Sequence, residues 1–245
     1  MGNLTFDFSG RTAIVTGAAR GIGKEIGALL ARSGADVFLI DIDEVAVQEA
    51  AAEIGATGLA ADVSDTDAIQ RVVDAAVAQT GRLDIVVNNA GILRDAMLWK
   101  ISDADYEAVM ATHSGGTFRL TRAAMPHFRK QQFGRVVNVT SYTGLHGNLG
   151  QSNYAMAKAG IIGFTKTAAK ELAAFGVTVN AISPNAETRM TEGIPEAHLA
   201  ALTALIAAGR MGKASEMAAA VAFLASEEAA YITGVVLPVD GGMSM

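Results

Sequence analysis

A tyrosine and a lysine stand four residues apart in the segment QSNYAMAKAG, which starts at Gln151. If this segment is helical, Tyr154 and Lys158 lie on one face, about 40° apart around the helix axis. A free phenol has a pKa of about 10, and an ammonium one turn away favours the phenolate and lowers that pKa. The pair predicts a tyrosine that exchanges protons near neutral pH; the alternative is two side chains that merely pack on a helix.

A serine thirteen residues before the tyrosine extends this pattern. Ser141 follows an apolar, β-branched run that predicts a strand, so its hydroxyl would lie at the end of that strand. There it can donate a hydrogen bond to a substrate oxygen that gains negative charge. Together these residues predict acid–base chemistry at a substrate oxygen, with Tyr154 moving the proton.

A glycine-rich segment, TGAARGIG, leads from the first predicted strand into the first predicted helix. Glycines at Gly17, Gly21 and Gly23 permit a sharp turn and let a pyrophosphate approach main-chain N–H groups at a helix N-terminus. Because the segment occupies the first βα turn, it predicts a dinucleotide site. A tight connection without a ligand is the alternative.

The second predicted strand ends at Asp41, about 20 residues beyond the glycines, where a carboxylate can bind the ribose hydroxyls of the cofactor. Asp41 and Asp43 would repel a 2′-phosphate, whereas Arg20 in the glycine-rich segment could pair with it. We expect NAD, with NADP less favoured. The alternative for Asp41 is an exposed residue of a turn.

Short apolar runs alternate with amphipathic stretches along the whole chain. The predicted strands are residues 12–17, 36–41, 58–63, 83–91, 134–141, 176–183 and 234–242. The predicted helices are residues 23–32, 44–54, 65–79, 103–128, 154–175 and 215–227. This alternation predicts an α/β fold, a doubly wound, Rossmann-type, mostly parallel seven-stranded sheet with helices on both faces. No linker or repeat interrupts residues 1–245, so we expect a single domain.

Composition and charge exclude several classes of function. The net charge of −6 and the lack of a basic cluster argue against nucleic acid as a partner. No cysteine is present and the four histidines are scattered, so neither disulfides nor a metal site is expected. No apolar run approaches the ~20 residues of a membrane span, and no signal segment is evident, so we expect a cytoplasmic protein without membrane contact.

Jointly, TGAARGIG, NNAG at 88–91, Ser141, YAMAK at 154–158 and VDGG at 239–242 resemble the short-chain dehydrogenase/reductase family over nearly the whole chain. The resemblance implies an NAD(P)-dependent enzyme that acts on a secondary alcohol or ketone by hydride transfer between the nicotinamide and the carbinol carbon, with Lys158 also holding the nicotinamide ribose. It implies adenine contacts from Asp62 and Val63. The other cofactor-binding residues that it implies are Ile22, Asn89, Ala90, Gly91, Pro184 and Thr188.

Two departures from the common family pattern narrow the resemblance. Most members carry an asparagine in a pattern like NxxGxF, where it holds a water that relays protons to the lysine; here HSGGTF puts His113 at that position. We keep His113 as a catalytic candidate whose charge near pH 7 is open. After the sixth strand, SPNAETRM has Asn185 in place of the usual glycine, and Thr188 is the candidate ligand of the nicotinamide carboxamide.

Both departures resemble the branch that contains the (3R)-hydroxyacyl-CoA dehydrogenase domain of multifunctional enzyme type 2 and its bacterial single-domain relatives. This branch implies a 3-hydroxyacyl-CoA/3-oxoacyl-CoA pair as substrate. One alternative is an NADPH-dependent 3-oxoacyl-(acyl-carrier-protein) reductase, whose acidic carrier protein would need a basic patch. A second alternative is a steroid or other secondary alcohol dehydrogenase. A third is a regulator that binds NAD without turnover. The candidates for the basic patch are Arg119, Arg122, Arg129 and Lys130.

Residues around the substrate are expected from two segments. His146 and Gln151, between Ser141 and Tyr154, would line the substrate pocket. Residues 187–211 are rich in Ala, Leu and Met and predict a substrate-lid insert over the strand ends, or else packing under a subunit contact. By resemblance the chain forms a homotetramer or a homodimer.

Overall fold

The computed structural model describes residues 4–186 and 203–245. Seven strands form one sheet in the order β3-β2-β1-β4-β5-β6-β7, and every neighbouring pair is parallel. The strands are β1 Thr12–Thr16, β2 Asp36–Asp41, β3 Thr57–Ala60, β4 Ile85–Asn88, β5 Gly134–Val139, β6 Val177–Pro184 and β7 Val236–Val239. The predicted doubly wound, Rossmann-type fold is confirmed.

Helices cover both faces of this sheet. They are α1 Gly21–Arg32, α2 Glu44–Ile54, α3 Thr66–Thr80, α4 Asp103–Met110, α5 Gly116–Gln131, α6 Tyr142–His146, α7 Ser152–Leu172 and α8 Ala214–Ala225. Alternate strand residues point to opposite faces, so Val15 packs in a core beneath α1, α2 and α8, while Ile14 packs in a second core beneath α3, α5 and α7. This arrangement buries the strands on both sides, as their continuous apolar runs predicted.

Most predicted strands and helices differ from the observed ones by a few residues at their ends, and three differences change the local structure. The third strand ends at Ala60 rather than residue 63, because Asp62 turns the chain by accepting a hydrogen bond from the Ser64 amide at 2.8 Å. The helix expected over residues 103–128 is divided into α4 and α5 by a π-helical turn, Ala111–Gly115. The short helix α6 was not predicted, and Ser141 caps it through the Thr143 amide.

The sheet order places one crevice at the carboxyl ends of the strands. From β1 the chain adds β2 and then β3 on one side of β1. After β3 it crosses over and adds β4 on the other side, so β1 lies between β2 and β4. In doubly wound sheets the ligand binds where the strand order reverses in this way. The glycine-rich segment follows β1, and Ser141 follows β5, so both lie at this edge.

The residues on either side of the expected lid insert are joined to each other after β6. Ala186 and Gly212 form a parallel β-bridge, and the Gly212 amide donates to the Asn185 carbonyl at 3.1 Å. Thr188 and residues 187–202 of the insert lie outside the described residues. Among the helices of the described ranges, none combines the length and the apolar character needed to cross a bilayer.

Candidate active site

The glycine-rich segment after β1 is packed tightly against the end of β4. A Cβ atom on Gly17 would lie 2.7 Å from the Cα of Ala90, and one on Gly23 would lie 2.4 Å from the Gly17 carbonyl oxygen. The Asn89 side-chain amide donates to the carbonyls of Thr16 and Gly17 at 3.0 and 2.9 Å. The NNAG segment therefore fixes the shape of the glycine turn, and larger residues at positions 17 and 23 would not fit.

The first turn of α1 presents main-chain donors to this crevice. Gly21 opens the helix with φ of 57°, a conformation that favours glycine, and Ile22 and Gly23 follow it. The residue before the helix, Arg20, makes no side-chain hydrogen bond to the first turn, and the turn contains no acidic residue. Unused N–H groups at a helix N-terminus bind anions. The segment fits the pyrophosphate of a dinucleotide cofactor.

Two carboxylates follow β2 beside this turn. Asp41 accepts a hydrogen bond from the Ala19 amide at 3.1 Å, so its carboxylate is held against the glycine-rich segment. Asp43 forms an ion pair with Arg20 at 2.7 Å. The cation that could bind a 2′-phosphate is therefore already paired with a carboxylate.

The residues expected around adenine lie next to Asp41. The Ala61 amide donates to the Asp41 carbonyl at 2.9 Å, which brings the Asp62–Val63 segment alongside the end of β2. Asp62 is exposed, whereas Val63 is buried against the first turn of α5, where a Cβ on Gly116 would lie 2.9 Å from it. Pro184, the last residue of β6, lies at the same edge of the sheet on its other half.

Tyr154 and Lys158 both lie near the start of α7, on the same face. The Lys158 ammonium is 5.5 Å from the centre of the Tyr154 ring and donates to the Val139 carbonyl at 2.7 Å. The Thr140 hydroxyl donates to the Lys158 carbonyl at 2.8 Å, so the helix is tied to the end of β5. Lys158 is 3% exposed, and this burial lowers the pKa of its ammonium to about 7.

The tyrosine hydroxyl responds to its surroundings differently from the sequence expectation. Burial raises the pKa of Tyr154, a hydrogen bond with Ser141 lowers it, and the charge of Asp95 raises it. The Lys158 ammonium is directed to the Val139 carbonyl. In the chain by itself the pKa of Tyr154 is therefore raised, and the expected lowering stays a prediction for the complex with the positively charged nicotinamide.

His113 lies on the π-helical turn between α4 and α5. It is 1% exposed, and its Nε2 atom lies 2.8 Å from the Ile92 carbonyl oxygen and 3.1 Å from the Ile92 amide. The ring meets the Tyr154 ring edge to face at 5.1 Å. Burial, and to a smaller extent the charge of Lys158, lowers the pKa of His113 to about 3. The imidazole of His113, whose charge the sequence left open, is therefore neutral near pH 7.

The main chain at Gly91 makes room for this imidazole. A Cβ atom on Gly91 would lie 2.3 Å from the His113 Cε1 atom. Within the described ranges the Nδ1 atom of His113 has no hydrogen-bond partner. π-Helical turns often mark functional sites, and this one carries a buried imidazole against the tyrosine. The NNAG segment therefore has two contacts: Asn89 fixes the glycine turn, and Gly91 leaves space for the His113 ring.

Gln151 and His146, two of the residues expected to contact substrate, are engaged with neighbouring side chains. The Gln151 side-chain oxygen accepts from the Thr143 hydroxyl at 3.1 Å and from the Asn148 amide at 2.9 Å. Its amide nitrogen donates to Asp95 at 2.8 Å. The His146 ring packs on the Tyr142 ring at 4.6 Å. Gln151 thus joins two loops at the rim of the crevice.

Asp95 is the residue at this site that sequence reasoning missed. It lies in the NNAGILRD segment, but nothing in the sequence links it to a tyrosine 59 positions away. The link is the contact with Gln151, which only the folded chain brings about. Among the described residues, no cluster of three or more His, Asp or Glu side chains could hold a metal ion.

Comparison with known proteins agrees with this geometry. A family described as enoyl-(acyl carrier protein) reductase matches residues 17–244. The chain is 45% identical over 242 residues to the 3-oxoacyl-(acyl-carrier-protein) reductase FabG of Escherichia coli K12, covering 98% of this chain and 99% of that protein. It is 43% identical over 242 residues to the protein of the same name from Thermotoga maritima, covering 96% and 98%. The chain therefore belongs to the short-chain dehydrogenase/reductase family and is an oxidoreductase that uses a nicotinamide cofactor.

Proposed function

We propose that the chain interconverts a 3-oxoacyl thioester and the corresponding 3-hydroxyacyl thioester. The observation that carries this proposal is the group of Ser141, Tyr154 and Lys158 at the carboxyl edge of the sheet, beside the glycine-rich segment. The substrate class is supported by the relatives, which are named as 3-oxoacyl-(acyl-carrier-protein) reductases.

Each of these side chains has a chemical task in this reaction. When bound, the nicotinamide supplies or accepts the hydride. In reduction, the Tyr154 hydroxyl donates its proton to the substrate oxygen, while the Ser141 hydroxyl donates a hydrogen bond to that oxygen as negative charge develops. The raised pKa of Tyr154 keeps it protonated before reduction begins. Lys158 fixes the start of α7 through Val139 and presents its ammonium beside the phenol.

We favour an acyl-carrier protein over coenzyme A as the acyl carrier. The sequence favoured coenzyme A, but the names of the relatives support the carrier protein. A cavity of about 450 Å³ lies along the second half of α5, and we call it the basic groove. It is lined by Arg122, Met125, Pro126, Arg129, Lys130, Gln132 and Phe175. The three cations would attract an acidic partner, and Arg129 is held over the Phe175 ring at 4.8 Å.

We infer that the cofactor is NAD(H) from the charges after β2. Asp41 is fixed against the glycine-rich segment, and Arg20 is paired with Asp43. A 2′-phosphate would have to break this pair and approach two carboxylates. Titration should therefore give tighter binding of NADH than of NADPH, and an Asp41→Ala variant should reduce the difference. Equal affinities in the unmodified chain would contradict the inference.

The substrate is tested with acetoacetyl thioesters of coenzyme A and of acyl-carrier protein, each with NADH and NADPH. We expect the higher kcat/KM with the carrier-protein substrate. Tyr154→Phe should lower turnover by roughly 10²–10⁴-fold, the range typical of a lost acid–base group, and leave cofactor affinity nearly unchanged. A normal rate in this variant would mean that Tyr154 does not carry the proton.

The basic groove has its own test. Arg129→Glu with Lys130→Glu should raise KM for the carrier-protein substrate about tenfold or more and leave the coenzyme A reaction unchanged, since only the protein partner needs the docking charges. The matched control is Arg32→Glu, an exposed reversal on α1 at the opposite face of the sheet. An equal effect on both substrates would exclude the groove as the docking site.

A further inference from the structure

Gly144 lies on the short helix α6, at the point where this helix packs on the start of α7. A Cβ atom on Gly144 would lie 2.7 Å from the Lys158 Cβ and 2.8 Å from the Lys158 carbonyl carbon, and 3.0 Å from the Ala159 nitrogen. Gly144 does not have a positive φ, so its main chain would permit other residues. The glycine is therefore required for space, because it lets α6 rest directly on the main chain of Lys158.

Ser141 is held between two contacts with this same lysine. Immediately before it, the Thr140 hydroxyl donates to the Lys158 carbonyl at 2.8 Å. After it, Gly144 packs on Lys158, and the Gly144 amide donates back to the Ser141 carbonyl at 2.9 Å. The Ser141 hydroxyl accepts from the Thr143 amide at 3.2 Å, so it is tied to α6 as well. The separation between Ser141 and Lys158 is therefore set by how closely α6 approaches α7.

Lys158 is fixed too firmly to move away from α6 and admit a larger residue. Its side chain is almost fully buried, and its ammonium donates to the Val139 carbonyl at 2.7 Å. A Cβ at position 144 would therefore have to be accommodated by α6, which has only five residues. Ordinary van der Waals contact begins at 3.4 Å rather than 2.7 Å, so α6 and Ser141 would shift by about 0.7 Å.

We propose that Gly144 is a positioning residue: by letting α6 rest on Lys158, it sets the distance between the Ser141 hydroxyl and the residues of α7 that take part in the reaction. This rests on the proposed function, in which Ser141 and Tyr154 act on the same substrate oxygen from two different elements. A displacement of about 1 Å in such a site can lower a rate by about 10²-fold. The rate of the reaction therefore depends on the missing side chain at position 144.

Gly144→Ala tests this spacing by adding one methyl group. We expect kcat for an acetoacetyl thioester to fall about tenfold or more, while KM for the cofactor stays unchanged because Lys158 and the glycine-rich segment keep their places. Gly58→Ala on β3 is the matched control: its Cβ would lie 2.7 Å from the Val47 carbonyl oxygen, and Gly58 also lacks a positive φ. The control should lower the midpoint of urea unfolding and leave kcat unchanged, which separates positioning from a general loss of stability.

Thr140→Val removes the other contact without adding bulk, and it decides the question by itself if Gly144→Ala does not fold. It should lower kcat by a smaller factor, again with KM for the cofactor unchanged, and an unchanged kcat would overturn the proposal.

Crystal structures of the unmodified protein and of each variant give the distance between the Ser141 hydroxyl and the Lys158 ammonium without any substrate. We expect this distance to increase in Gly144→Ala and to stay the same in Gly58→Ala. An unchanged distance in Gly144→Ala, or an equal loss of kcat in the control, would overturn the proposal. If the unmodified chain does not act on acetoacetyl thioesters, the proposed function fails, and the measured distance still decides the role of Gly144.

Discussion

Lys158 places an ionisable group inside the protein, and this has a consequence for stability. Its pKa is lowered to about 7 by burial, whereas an unfolded lysine has a pKa of about 10.4. Below pH 7 both states are protonated and the full penalty of burying the ammonium opposes folding. Between these two pKa values Lys158 is deprotonated in the folded state but still protonated in the unfolded state. The free energy of unfolding therefore rises with pH over this range.

Lys158→Met should therefore stabilise the fold while abolishing catalysis. Replacing a buried charge with a similar apolar side chain often stabilises by about 1–4 kcal/mol, and the lost hydrogen bond to Val139 places this case at the lower end. The increase in the free energy of unfolding should be largest at about pH 6 and should disappear near pH 10. Urea unfolding of both proteins across this range measures it. A variant less stable at about pH 6 would mean that the ammonium stabilises the fold.

At the scale of single residues, helical spacing predicted that Tyr154 and Lys158 lie on one face. It did not predict the direction of the Lys158 ammonium, the raised pKa of Tyr154 or the neutral state of His113, because these depend on burial and on contacts distant in sequence. Gln151 shows the same limit. Its position suggested a substrate contact, but its amide bonds to Asp95, 56 residues away.

At the scale of elements, local signals fixed some boundaries and missed others. Helix α2 and strand β2 have the predicted ends, since Asp43 caps α2 and Gly55 follows it in a left-handed conformation. The π-helical turn within residues 103–128 has no such local signal. Its one distinctive side chain is the buried His113, whose place is set by the loop of Gly91 and Ile92.

This dependence predicts coupling between Gly91 and His113. Gly91→Ala should destabilise the protein by about 1–3 kcal/mol, because the added methyl would lie 2.3 Å from the imidazole and the ring would have to move. Gly91 does not have a positive φ, so strain in the main chain does not add to this loss. In a His113→Asn background the shorter side chain should accommodate the methyl, and Gly91→Ala should cost clearly less.

A double-mutant cycle of thermal or urea unfolding measures that coupling. The matched control is Gly163→Ala, because a Cβ on this glycine of α7 meets nothing within 4 Å. It should be neutral or slightly stabilising in both backgrounds. Additive effects of Gly91→Ala and His113→Asn would mean that the imidazole is not what requires a glycine at position 91.

At the scale of the whole molecule, the alternation of strands and helices was sufficient for the sheet and its crevice. Parallel strands with right-handed crossovers leave few arrangements, so the glycine-rich segment, Ser141 and Tyr154 had to meet at one edge. The surface was less predictable. The basic groove forms where the end of α5 meets Phe175, and its cations were recognisable in the sequence only as scattered candidates.

The surface of α5 and α7 carries the last prediction, which concerns assembly. Phe118 is 46% exposed, lies 6.4 Å from the Phe164 ring of α7 and has the Arg122 guanidinium at 4.9 Å. A large aromatic exposed between two long helices is typical of a surface covered by a second copy. We propose that this face supports the homotetramer or homodimer expected from the family.

Phe118→Glu would place a charge in the centre of such an interface, where its desolvation is unfavourable. Light scattering should then give a mass reduced to half or to a quarter of that of the unmodified protein. Val45→Glu, an exposed apolar-to-acid change on α2, should leave the mass unchanged. If the unmodified protein is a monomer, or if Phe118→Glu keeps the full mass, Phe118 must be exposed for another reason, and the tetramer would have to use surfaces outside α5 and α7.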